Sequence, residues 1–201
     1  MSDFEGTMTV YGVSPKEVMD VTKAVLLAMN SNKLASYGIY HYDETVSERD
    51  VDDSCVFEED YPDKWEELPE MKHSIGFTVY GSGRWTIGNT FNDFGRILES
   101  NLLAENDEEH QQALKTLQNH VWGVEVEGYD IENGCQIFNE CRGHAVHRIG
   151  GSLKSEDVVF TCMEEDSLDY SVDEVMSVFG CSKSDAKERM NIWDDGDEDE
   201  E

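Results

Sequence analysis

The stretch TMTVYGVSPKEVMDVTKAVLLAMN at residues 7–30 reads as a strand that runs directly into a helix. TMTVY at 7–11 has the β-branched and aromatic composition of a short strand. Ser14 then stands as a helix cap, Pro15 takes the first helical position, and Glu17 follows three residues after the cap. Val18, Val21, Ala24, Val25 and Ala28 recur at helical spacing and make one apolar face, which ends near Asn30.

Working outward, residues 37–42 predict a second strand. Residues 74–80 and 84–88 flank Gly81, Ser82 and Gly83, a hairpin signature. Thr90 is expected to cap a helix that carries Phe91, Phe94, Ile97, Leu98 and Leu102. A further helix is expected over 107–120, with Leu114 and Leu117 turned inward. Residues 121–129 and 134–138 form a second hairpin around the Glu132, Asn133, Gly134 turn, and strands are expected at 145–149 and 157–163. Strands interrupted by helices in this order predict an α+β fold, an antiparallel sheet with helices on one face. A split βαβ, ferredoxin-like core fits the first 130 residues.

The end of the chain changes character. SVDE at 171–174 is another capping box, opening a helix through Val175, Met176, Val178 and Phe179 that Gly180 breaks. Ser182 or Ser184 caps a short helix to about Trp193. The expected organisation is a core over 1–165, a helical hairpin over 166–193 and an acidic tail over 194–201. No internal repeat at a fixed period is present.

Charge is the outlier of the composition. The 201 residues hold 45 Asp and Glu against 15 Lys and Arg, a formal net charge of −30 at pH 7. Such a surface repels itself, and it repels nucleic acid and anionic membranes. Residues 43–70 hold 13 acids against Arg49 and Lys64, and 7 of the last 8 residues are acidic. Within the first segment, Phe57, Tyr61 and Trp65 recur at four-residue spacing and suggest helical turns docked on the domain. The acids expected to meet a partner are Asp43, Glu44, Glu48, Asp50, Asp52, Asp53, Glu58, Glu59, Asp60, Asp63, Glu66 and Glu67, joined by Glu105, Asp107, Glu108 and Glu109 on the helical part. Duplex DNA carries one charge per roughly 1.7 Å, so thirty charges match about 50 Å of duplex. A compact chain of this length spans on the order of 40–45 Å, a similar linear charge density. A homodimer would lengthen the track.

Other motifs have plainer readings. Cys135, Cys141, His144 and His147 are all legitimate zinc ligands. Their C-x5-C-x2-H-x2-H spacing lacks the CxxC knuckle, and strand alternation sends neighbours to opposite faces, so neither a metal nor a Cys–His catalytic pair is expected. Residues 172–190 resemble the helix-turn-helix of DNA-binding regulators, with Gly180 at the turn. There Asp185 and Glu188 interrupt Lys183, Lys187 and Arg189 beside an anionic tail, which disfavours phosphate contact. Gly81, Ser82, Gly83 and Arg84 are not followed by the Gly-Lys-Ser/Thr of a phosphate loop. The five cysteines are odd in number, and the N-terminus has no apolar signal region, so reduced thiols in the cytoplasm are expected. The longest apolar run, 24–29, is too short to span a bilayer.

In charge, size and absence of a catalytic signature, the chain resembles the acidic DNA-mimic inhibitors of phages and plasmids, which include anti-restriction and anti-CRISPR proteins. The resemblance lies in charge layout over the whole chain and transfers no residue. It implies a non-enzymatic inhibitor without cofactor, acting in the host cytoplasm. The implied partner is a basic nucleic-acid-binding protein, such as a restriction enzyme or CRISPR effector, held through its nucleic-acid channel. The alternatives are an acidic chaperone or regulator of a basic partner, a DNA-binding regulator using the helix-turn-helix, and an ordinary protein of a high-salt habitat.

Overall fold

The computed structural model describes residues 2–30, 39–42, 45–54, 57, 70–83, 86–98, 108–132, 135–145, 157–169, 176 and 182–189. Strand β1 (Ser2–Gly12) leads into helix α1 (Pro15–Asn30), then strands β2 (Ile39–Tyr42) and β3 (His73–Gly83). Helices α2 (Ile87–Asn92), α3 (Phe94–Ile97) and α4 (Glu108–Asn119) follow. Strands β4 (Trp122–Glu132), β5 (Cys135–Ala145) and β6 (Val158–Asp169) come next, and helix α5 (Lys183–Arg189) stands last. The strands make one six-stranded sheet in the order β2-β3-β1-β4-β5-β6. Every neighbouring pair is antiparallel. The α+β class read from the sequence holds.

Helix α1 begins as its cap predicts, with the Ser14 hydroxyl accepting the Glu17 amide N–H. All five residues of the expected apolar stripe are buried. Its last residue does more than end a helix. The Asn30 side-chain amide donates to the Tyr40 carbonyl and accepts the Tyr40 N–H, at 2.6 and 2.7 Å, which pins β2 to the end of α1. Leu114 and Leu117 of α4 are buried as expected. Trp122, wholly buried at the start of β4, donates its indole N–H to the Leu117 carbonyl.

One apolar cluster fills the space between sheet and helices, from Met8, Val10 and Val25 to Phe91, Phe94 and Trp122. Phe91 and Phe94 both pack on the Phe160 ring of β6, so α2 and α3 cover the β5–β6 side while α1 covers β1 and β3.

Two expectations are corrected. The hairpin at Gly81, Ser82 and Gly83 does not form. These residues continue β3 and pair with β1 and β2. Gly81 is needed because a side chain there would run into the Ile39 carbonyl as β2 crosses it. Ile87 and Gly88 are helical, and the cap is Thr86 rather than Thr90, its hydroxyl accepting the Asn89 N–H. The helix then breaks at Asp93 before Phe94. Of the strand expected at 145–149 only Ala145 is described, and it closes β5; the rest lies outside the described residues. The hairpin around residues 132–134 is present as β4–β5. No C-terminal helical hairpin is seen among the described residues, which include only Met176 of 171–180.

Burial also shifts the titration of the Tyr40 phenol. Tyr40 is nearly inaccessible, and burial raises its pKa to about 12, while the Thr90 hydroxyl opposes the rise and the Asp130 carboxylate adds to it. The folded state therefore favours the neutral phenol. That contribution is complete below about pH 10, the pKa of an unburied phenol, and is lost as pH rises towards 12. The loss amounts to about 2–3 kcal/mol. Tyr40→Phe should remove that part of the alkaline destabilisation, read as urea midpoints between pH 9 and 12.

Candidate functional site

Alternation along each strand divides the sheet into a helix-covered inner face and an outer face. The inner face takes Met8, Phe77, Val126 and Cys141, all buried. The outer face takes Glu5 and Asp3 from β1, Tyr80 from β3, Glu125, Glu127 and Tyr129 from β4, and Glu140 from β5. Among the described residues, the large apolar side chains that are exposed, Ile39, Tyr80, Tyr129, Val159 and Met163, all share this outer parity.

The register lines these residues into rows across the strands. Glu5 is directly opposite Tyr80 on one side and Tyr129 on the other. His41 continues the row beyond Tyr80, with ring centroids 5.6 Å apart, and Phe138 continues it beyond Tyr129 at 5.2 Å. Tyr80 is 52% and Tyr129 43% exposed, so both residues stand open to solvent. Asp3 stands in the next row on one side, between Ser82 and Ile131. Glu127 and Glu140 stand directly opposite each other in the row on the other side. Like charges so placed cost stability. A hollow of about 740 Å³ lies over this end of the sheet, lined among others by Asp3, Glu5, Ile39, Tyr80 and Tyr129.

The far end of the same face is covered by Phe57. Its ring packs on Tyr11 and His144, and the Arg142 guanidinium lies 4.5 Å from its centroid. Gly123 makes room for it, since a side chain there would strike the Phe57 ring. The Phe57 N–H donates to the Met71 carbonyl. Arg142 is paired with Glu125 at 3.1 Å, and the Tyr11 hydroxyl donates to the same carboxylate. The acidic segment is thus fastened to the outer face at Phe57, while Tyr61 and Trp65 lie outside the described residues. Just before this anchor, Asp52 pairs with Ser74 along the edge of β3 that β2 leaves bare.

The expected partner-binding acids fall on more than one surface. Glu48 and Asp50 lie on a short 3-10 turn (Glu48–Asp50), Asp52 and Asp53 follow it, and all four are exposed. The Ser47 hydroxyl and backbone N–H both donate to Asp50 and lower its pKa. Ser54 does the same for Asp52, so both carboxylates hold their charge to lower pH than usual. Glu108 and Glu109 open α4 on the helix side of the sheet, across a groove from Lys16 and Lys23. They do not join the outer face. Asp43, Glu44, Glu58, Glu59, Asp60, Asp63, Glu66, Glu67, Glu105 and Asp107 lie outside the described residues.

Reading charge by segment missed the acids of β1, β4 and β5. The signal for them was the alternation in DFEG at 3–6 and VEVEGYDIE at 124–132. Among the metal-ligand candidates, Cys141 faces inward and is joined in a disulfide to Cys162, its direct partner on β6. That corrects the expectation that all five thiols are reduced. His144 faces outward against Phe57. His147 and the Cys135 side chain lie outside the described residues, among which no group of three or more potential ligands occurs. In α5 the Ser182 hydroxyl accepts the Asp185 N–H and donates to the Asp185 carboxylate, the expected cap. Among the described residues no helix is long and apolar enough to cross a membrane. No known protein family, curated protein or solved structure matches the chain.

Proposed function

We propose that this chain is a non-enzymatic acidic inhibitor that occupies the nucleic-acid-binding surface of a basic protein in the cytoplasm. A restriction enzyme or a CRISPR effector is the kind of target meant. The observation that carries the reading is the outer face: among the described residues of its strands, Asp3, Glu5, Glu125, Glu127 and Glu140 stand against the guanidinium of Arg142, in a register that holds them in place. A carboxylate on a strand gives up less freedom on binding than one on a flexible segment. The face is also unsuited to nucleic acid itself. Exposed rings can stack on bases, but the carboxylates beside them repel phosphates. In the same reading, β1, α1, β2, β3, the helices and β4 make a ferredoxin-like core, which β5 and β6 extend into a broader face.

The test is capture on the immobilised chain at low salt from a bacterial lysate, followed by elution with a duplex oligonucleotide or with salt. A nucleic-acid-binding protein released by the duplex is the expected result. Captured proteins that the duplex leaves in place would overturn the reading. An acidic chaperone is the second reading, favoured by the tail, in which 7 of 8 residues are acidic. Deleting residues 194–201 separates the two: loss of capture points to the chaperone, and retention to the outer face.

A further inference from the structure

We infer that the aromatic row on the outer face is a recognition site for arginine side chains of the partner, a refinement that rests on the proposed function. Glu5 sits between Tyr80 and Tyr129 on three adjacent strands. Adjacent strands are about 4.8 Å apart, so one planar cation seated on Glu5 reaches both rings. The ring faces attract a cation and the carboxylate supplies paired acceptors. Asp3 and Glu127, each two residues along its strand from this row, hold the surrounding potential negative.

The chemistry selects guanidinium over ammonium. A guanidinium is planar, is weakly hydrated, stacks on rings and donates two parallel hydrogen bonds to a carboxylate. An ammonium is a compact, strongly hydrated charge that gains chiefly from the overall negative field. Among the described residues lining the hollow none is Lys or Arg, so no cation of the chain's own competes there. The row from His41 to Phe138 crosses five strands, about 19 Å, a span that about six extended residues cover. The occupant is therefore an extended, arginine-bearing segment laid across the strands.

Fluorescently labelled hexa-arginine and hexa-lysine, equal in charge, test this by anisotropy on the full chain at about 0.15 M salt. The expected result is binding of hexa-arginine about tenfold tighter than hexa-lysine. The double variant Tyr80→Thr, Tyr129→Thr should lose that preference, its hexa-arginine affinity falling to about that for hexa-lysine. Threonine suits exposed strand positions, so the fold should survive, as circular dichroism would check. Tyr80→Phe with Tyr129→Phe should keep the preference, because the rings remain. Equal affinity of the wild type for the two peptides would overturn the inference. So would a Thr variant that retains the preference. If both peptides bind equally and salt weakens them equally, only the arginine inference fails and the charge-based function stands. If neither binds at low salt, both fail.

Discussion

A chain carrying Asp3→Asn, Glu5→Gln, Glu127→Gln and Glu140→Gln should fold as the wild type does and lose about a hundredfold in affinity for its basic partner at about 0.1 M salt. Each exposed ion pair is worth up to about 1 kcal/mol, and four acting together reach the 2–3 kcal/mol that a hundredfold requires. The loss should shrink as salt rises, because screening weakens the wild-type contacts more than the fewer that remain in the variant. Stability should hold or rise by a few tenths of a kcal/mol, since Glu127 and Glu140 repel each other directly across β4 and β5. Glu125 is left in place because it holds Arg142 and Tyr11. Titration calorimetry at three salt concentrations reads the effect. An unchanged affinity, with the melting curve intact, would move the function away from this face.

Replacing Asp130 by alanine should cost about 3–5 kcal/mol, a large part of the margin of an ordinary domain. Asp130 lies on β4 but points to the inner face and is 1% exposed. Its carboxyl accepts the Ser2 hydroxyl at 2.6 Å, the Ile87 backbone N–H at 2.8 Å and the Asn139 side-chain amide at 2.9 Å. One side chain thus ties together the start of β1, the first residue of α2, β4 and β5. Alanine leaves three buried donors without their acceptor, and each such loss costs about 1–3 kcal/mol before the structure relaxes. Asp130→Asn keeps the shape and one oxygen but turns an N–H group toward other donors, so it should fall between wild type and alanine. For a chain of this length the alanine variant should melt roughly 10 °C lower. A shift under about 2 °C would mean that water replaces these hydrogen bonds and that the network is not structural.

These two sets of acids show how far local pattern reaches. Ser14, Pro15 and Glu17 fully specify where α1 begins, because capping depends on residues three apart and on nothing distant. The β4–β5 hairpin was legible for the same reason. Gly81, Ser82 and Gly83 misled because glycine serves two purposes, a tight turn or close passage of another backbone. Which one applies depends on where β2 lies. Thr86 was overlooked as a cap because Ile87 and Gly88 have no helical preference of their own and are held by Asp130 and the core.

Composition alone determined the sign and size of the charge, and periodicity alone determined the α+β class, since both are sums over neighbours along the chain. Only the tertiary structure decided that Glu5 stands between Tyr80 and Tyr129, that Phe57 fastens the acidic segment to the outer face, and that Asp130 is sealed inside while Glu127, three residues earlier, is exposed. Each of these depends on which strands lie side by side. Strand order arises from pairing between distant segments, and it is chosen by how the helices cover one face of the sheet.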